Sequence, residues 1–213
     1  MSAVITMLPN DLRDMTAALV PHAEDHRKSI TPILQCIHID PTKGNYAWAT
    51  NRYTAGRLNL RAFDKLVMPE EPMLIPAYVL TILSRIGPGT LPAPFEQYVI
   101  RIEETAKGIV TQFVWASEDK ELEEVHWQRV FFLHGRYGDF PPVQKLFDKF
   151  QETEVPTKIA VNGDGLDTFV NYAMRKHLPV RFTADGGKNT NPILVEIGTE
   201  FRGLIAPSIR GEF

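Results

Sequence analysis

The chain has 213 residues, of which 44% are apolar, enough for one large or two small domains with a proper core. A net charge of −3 and a pI near 6.1 argue against a protein that grips nucleic acid through many phosphate contacts, so any DNA binding must be weak, local or topological. The single cysteine, Cys36, excludes an intramolecular disulfide and the cysteine-rich zinc frameworks, and it fits a reducing cytoplasm.

The first residues lack a basic stretch followed by an apolar run, and no stretch of about 18 apolar residues occurs, so neither secretion nor a membrane span is expected. Residues 3–8 read as a short apolar strand. Pro9-Asn10-Asp11 then offers capping chemistry for a helix carrying Leu12, Met15, Ala18 and Leu19 at helical spacing. After a polar break at 22–29, residues 34–40 alternate like a half-buried strand, which makes Cys36 a buried small hydrophobe. Pro41-Thr42-Lys43-Gly44 turns the chain into strands at 46–50 and 56–60, completing a strand-helix-strand-strand-strand unit.

The order recurs from Met73. A strand at 73–75 leads through Pro76 into a helix with Val79, Leu80, Ile82, Leu83 and Ile86, stopped by Gly87-Pro88-Gly89. Strands follow at 98–102, 109–115 and 125–133; the run 118–124, with five acids in seven residues, reads as an exposed hairpin loop. A third copy opens with a strand at 158–161, turns at Asn162-Gly163-Asp164-Gly165, and continues as a helix over 166–176 and strands at 180–183, 193–197 and 201–205. Residues 135–156 belong to no copy. There, Phe140-Pro141-Pro142 followed by Val143, Leu146, Phe147 and Phe150 predicts a connector with one short amphipathic helix, whose Lys145 and Lys149 share a face.

The predicted fold class is therefore α+β, built from three such units with helices on one face of antiparallel sheets. Each unit has an apolar face that it cannot cover alone, and pairing two units covers it. The expected organisation is a domain of two units over 1–134, a connector over 135–156, and a third unit, a half or reduced domain, over 157–213. The alternative is an ordinary α+β domain whose elements fall in this order by chance.

Chemistry-bearing motifs are weak. His22-Ala23-Glu24-Asp25-His26 has two histidines four apart, but it lacks the glutamate directly after the first histidine that zinc hydrolases use and reads as a polar loop after Pro21. Asn162-Gly163-Asp164-Gly165 and Asp185-Gly186-Gly187-Lys188 match no phosphate-binding fingerprint and read as turns. No convergent acid, base or nucleophile set emerges, so no catalytic residue, metal or cofactor is expected.

Four short strings in order carry a resemblance. Pro32-Ile33-Leu34 followed by Trp48-Ala49-Thr50-Asn51-Arg52-Tyr53 resembles the middle domain of bacterial DNA polymerase III beta clamps. Met73-Leu74-Ile75-Pro76 is similar to the family's strand-to-helix entry, Gly138-Asp139-Phe140-Pro141 to its Gly-x-Phe-Pro connector, and Leu204-Ile205-Ala206-Pro207-Ser208-Ile209-Arg210 to its carboxy-terminal segment. In departure from the family pattern, Asn51 stands for an aspartate and Ala206 and Ser208 for methionines. About one and a half family domains have no counterpart.

The resemblance implies a DNA-clamp fold and a non-enzymatic sliding clamp, a processivity factor that encircles duplex DNA without reading its sequence and tethers a polymerase or other replication and repair proteins. It implies Arg13, Arg85, Arg175 and Lys176 as DNA-facing residues on inner helices. It also implies a hydrophobic pocket for partner peptides formed by Leu34, Thr50, Tyr53, Pro141, Leu146, Leu204 and Ala206. A homo-oligomer, a clamp loader and a cytoplasmic, bacterial setting follow, and the short chain suggests a reduced, bacteriophage-encoded version. A ring of twelve units calls for four chains, or for three if the connector substitutes for a unit. The competing reading is a non-encircling clamp-like protein that binds or competes for replication partners.

Overall fold

Alternation builds the first strand, β1 (Ala3–Met7), in which Ala3, Ile5 and Met7 are buried while Val4 and Thr6 are half-buried. Pro9 opens α1 (Pro9–Leu19) at a position where its missing N–H leaves no helical bond unmade. The helix buries the stripe Leu12, Met15, Ala18 and Leu19 that its spacing predicts. The computed structural model describes residues 3–25, 31–86, 92, 95, 97–117, 121–132, 139–149, 161–184 and 192–207.

Three strands follow, β2 (Cys36–Ile39), β3 (Tyr46–Thr50) and β4 (Thr54–Asn59). The second copy contributes β5 (Met73–Pro76), α2 (Ala77–Arg85), β6 (Gln97–Thr105), β7 (Gly108–Ala116) and β8 (Glu123–Phe132). A connector helix α3 (Gln144–Lys149) precedes α4 (Gly163–Lys176), β9 (Val180–Ala184), β10 (Ile193–Ile197) and β11 (Phe201–Ile205). The α+β class with antiparallel sheets is thus realised.

Local expectations differ at three places. Residues Pro32–Gln35 form a 3-10 turn, so the strand begins at Cys36, which is fully buried. Asn162 to Gly165 is not a turn ahead of the helix but its first turn: the Asn162 side chain accepts a hydrogen bond from the Asp164 N–H at 3.1 Å and caps α4. His22 does not sit in a polar loop; it is fully buried. The predicted strand at 158–161 falls outside the described residues except for Val161, which bridges to Pro207. His26, the helix stop at 87–89, the start of the acidic run at 118–120, the turn at 185–188, Gly138, Phe150 and Ser208 also lie outside them.

The sheets show what the linear pattern could not. One has the order β1-β6-β7-β8 and the other β5-β2-β3-β4-β11-β10-β9. The first two copies exchange their first strands: β1 pairs with β6, with Ile5 opposite Ile102, and β5 pairs with β2, with Ile75 opposite Ile37. Neither copy therefore owns a complete sheet. The third copy joins through last strands, β11 lying antiparallel to β4 with Gly203 opposite Gly56, which makes a seven-stranded sheet.

Helix α1 touches both sheets and lies between α2 and α4. The main core gathers Leu12, Met15, Leu80, Leu83, Phe169 and Tyr172 from these helices over Ile5, Ile100, Phe113, Ile37, Leu58 and Val195 from the sheets. The opposite face of the seven-stranded sheet carries a second, smaller cluster of Trp48, Ala55, Leu194 and Leu204, and Val143 and Phe147 of the connector cover it. Trp48, Ala55, Leu194 and Leu204 alternate with the core residues Ala47, Ala49, Leu58, Val195 and Ile205, so period-two patterning assigns the two faces.

Candidate functional site

The seam between β4 and β11 organises the candidate site. At its upper end the β3–β4 turn is closed by Asn51, whose Oδ1 accepts from the Tyr53 N–H at 3.0 Å, the Thr54 N–H at 2.8 Å and the Thr54 hydroxyl at 3.1 Å. The amide oxygen supplies the acceptor that a turn-closing aspartate would, so the substitution keeps the turn. Arg52, at φ 75, takes the left-handed turn position, and its guanidinium pairs with Glu24 at 3.2 Å.

Because Thr54 spends its single hydroxyl proton on Asn51, the hydroxyl oxygen must accept from His22 Nδ1, 3.0 Å away. His22 is thereby held as the Nδ1–H tautomer between Phe169 and Phe201, with ring centroids 4.7 and 5.6 Å away, and its buried Nε2 has no hydrogen-bond partner. Burial pushes its pKa down to about 3, so the ring is neutral at pH 7. This histidine ties the turn to α4 and β11.

A cleft of about 560 Å³ opens beside the turn. Asn51, Tyr53 and Thr54 form one wall, the first turns of α4 (Asn162, Asp164, Gly165 and Thr168) another, and Ile205, Ala206 and Pro207 the floor. The Ala206 N–H donates to the Tyr53 carbonyl at 2.9 Å, and the Tyr53 side chain stands 75% exposed at the rim. Of the seven residues expected in a peptide pocket, the structure brings Tyr53 and Ala206 together in this cleft.

Thr50 and Leu204 flank Ala55 on the outer sheet face, in one cross-strand row. Pro141 and Leu146 belong to the connector lying on that face, where Leu204 packs with Val143 and Phe147 while Leu146 is 53% exposed. Leu34 is buried in its 3-10 turn and lines neither the cleft nor the outer cluster. Sequence reasoning missed the aromatic clasp on this face. Phe140 stacks on His38 at 4.8 Å, Phe147 meets Trp48 at 5.6 Å, and the Arg57 guanidinium lies over Tyr46, Trp48 and Phe147 at 4.7, 5.5 and 5.1 Å. The alternation of Tyr46 and Trp48 in β3 was the available signal.

The basic residues expected to face DNA lie on or beside the three packed helices. Arg13 donates to the Asn10 side chain at 3.3 Å, and Arg85 is exposed at the end of α2. Arg175 and Lys176 instead meet Asp14 of α1 at 3.0 and 2.7 Å, and Lys176 lies 3.6 Å from Glu200. Burial lowers the Lys176 pKa, but Asp14 and Glu200 outweigh it and leave the pKa raised. Their charge is largely balanced locally. Lys145 stands on the connector on the opposite face of the sheet, away from the helices, so it cannot act with them. Among the described residues no group of three or more His, Cys, Asp or Glu could hold a metal ion, and no helix is long and apolar enough to cross a membrane.

An α+β architecture of exchanged first strands, a sheet continued across units and helices on one face defines the DNA-clamp fold. Solved structures of DNA polymerase III beta subunits, the bacterial sliding clamps, share this fold. The chain superposes on the beta subunit of Thermotoga maritima with a TM-score of 0.59 at 11% identity, 99% of this chain covering 65% of that one. For the Caulobacter crescentus (C. crescentus) beta sliding clamp the TM-score is 0.54 at 13% identity, with 100% covering 66%. The putative beta subunit of Eubacterium rectale gives 0.54 at 11% identity, with 99% covering 66%. This chain thus spans just under two thirds of the length of these clamps. No family model matches the sequence, and no curated protein sequence does.

Proposed function

We propose that this protein is a sliding clamp: copies of the chain close into a ring around duplex DNA and tether a polymerase or other replication proteins through a short peptide held at the seam. The carrying observation is the β4·β11 junction, where last strands of separate units continue one sheet while α1, α2 and α4 line its other side. A module that joins edge to edge in this way can be repeated into a closed belt with helices inside. On this reading residues 1–134 form one clamp domain, 135–156 the connector and 157–213 half of a second domain, and four chains supply the twelve units of a ring.

The charge distribution suits topological holding. With Arg175 and Lys176 paired to Asp14, the helix face offers a few cations such as Arg13 and Arg85 in place of a dense phosphate grip, so the duplex stays free to slide. The cleft beside Tyr53 and Ala206 suits a Leu or Phe anchor of a partner peptide, with the polar rim of Asn162 and Thr168 orienting its backbone.

Retention on circular against linear DNA tests the ring. Loaded protein is expected to stay on nicked circles and to run off linear ends, and retention is expected to vanish when the circle is cut. Equal weak binding to both forms would refute encirclement and leave the non-encircling, partner-binding reading. Peptide capture is tested separately. Ala206→Glu at the cleft floor is expected to weaken binding of a fluorescent Leu- and Phe-containing peptide at least tenfold while leaving the melting temperature within about 2 °C of wild type, since Ala206 is exposed. Unchanged affinity would remove this cleft as the site.

A further inference from the structure

We infer that β8 is a self-association edge, pairing antiparallel with β8 of a second copy across a two-fold axis. This deepens the ring reading and rests on it, since a ring needs such a junction, but the junction can be measured without DNA.

Strand β8 is the terminal strand of the β1-β6-β7-β8 sheet, and among the described residues nothing pairs with its far side. Its ten residues span about 33 Å at roughly 3.3 Å per residue. An edge this long presents unpaired backbone donors and acceptors, and exposed apolar residues stand between and beyond its charged Glu123, Glu124 and Arg129. Val125, Val130 and Phe132 are 45%, 40% and 68% exposed, and no proline or lysine interrupts the strand.

The molecule already contains the junction that this edge would make. Strands β4, β8 and β11 occupy the same place, last in their respective copies. Two of them, β4 and β11, pair with each other antiparallel over five residue pairs and continue the sheet. The third is left over. Because the internal junction joins equivalent strands head against tail, its repetition at β8 requires the equivalent strand of another molecule, and that strand is β8 itself. The resulting interface is isologous.

Charge selects the same partner. Glu123 is paired with Arg101 at 2.9 Å, but Glu124 sits near the same end of β8 and Arg129 toward the other, so an antiparallel copy lays each Glu124 beside the other's arginine. A parallel copy would set like charges together. The register break between Phe113 and Val114 leaves His126 of β8 as an extra residue without a partner on β7, but residues 127–132 remain in regular register and offer a straight segment to the incoming strand.

The test uses the full chain with cysteines introduced singly at His126, Gln128 or Val130, near the strand centre. Cys36 is fully buried and stays in place. Mild oxidation at tens of micromolar is expected to give a covalent dimer from at least one of the three, because opposed strand residues lie within disulfide reach. Arg181→Cys on β9, a terminal strand of the other sheet, is the control and is expected not to link to itself. Glu124→Lys is expected to weaken association at least tenfold by sedimentation, and Glu124→Lys with Arg129→Glu to restore it. If the wild type is multimeric but no β8 cysteine links to its own copy, or if Gln128→Cys links only to Arg181→Cys, the self-pairing is refuted while a head-to-tail ring stands. If β8 links but circular DNA does not retain the protein, the junction stands and encirclement fails. A monomer at 100 micromolar overturns both.

Discussion

Gly203→Ala is a demanding test of the seam. A Cβ at position 203 would lie 2.0 Å from Phe169 Cε1, 2.8 Å from Cζ and 3.0 Å from the Ala55 carbonyl oxygen. The phenyl ring has nowhere to retreat. Phe169 is fully buried, with His22 and Phe201 at centroid distances of 4.7 and 6.0 Å. Such overpacking costs typically about 1–3 kcal/mol, and a contact this short belongs at the upper end. The alanine recovers about 0.4–1 kcal/mol by stiffening the unfolded chain, leaving a net loss of about 2 kcal/mol. For a chain of this size that lowers the melting temperature by roughly 4–8 °C. Urea unfolding of the wild type, Gly203→Ala, Phe169→Leu and the double variant measures it. Phe169→Leu makes room for the methyl, so the double variant is expected to lose at least about 1 kcal/mol less than the sum of the single losses. A Gly203→Ala loss below about 0.5 kcal/mol, or strict additivity, would falsify the packing described for the seam.

Buried His22, with its pKa lowered to about 3 from the ordinary 6.5, favours the fold fully above pH 6.5, and that stability drains away as pH falls toward 3. His22→Gln is expected to flatten this part of the acid limb in melts between pH 7 and 4, and an unchanged limb would count against the neutral buried ring. Asp11 behaves oppositely. Burial first, then Asp64, raises its pKa to about 6, so its protonated form is favoured in the fold and that contribution fades as pH rises from about 4 to 6. Asp11→Asn is therefore expected to raise the melting temperature more at pH 8 than at pH 4.5; an equal effect at both would be contrary. Phe147→Ala removes the ring that pins the connector on Trp48 and is expected to cost about 3 kcal/mol locally. Hydrogen exchange should then accelerate in Gln144–Lys149 but not in β3.

The candidate site was only partly legible in the sequence. Tyr53 and Ala206 meet in one cleft because β4 and β11 pair, which no spacing along the chain announces. The packing of Trp48 against Phe147 was not legible because the two lie about a hundred positions apart, and an alternating aromatic in a strand reads the same whether it faces a helix, a connector or water. Arg175 and Lys176 were visible as cations on a helix, whereas Asp14 opposite them was not.

Periodicity alone determined the elements. Alternation and helical spacing depend on residues a few positions apart, and so the strand-helix-strand-strand-strand order of the first two copies and the short connector helix follow from local chemistry. Tertiary structure decided the rest: that β1 and β5 change places between copies, that the third copy docks on the first through β11, and that His22 is core. The physical reason is that backbone hydrogen bonding is indifferent to which strand supplies the partner. The choice among edges is made by the faces that packing buries together, and it leaves β8 as the edge still to be matched.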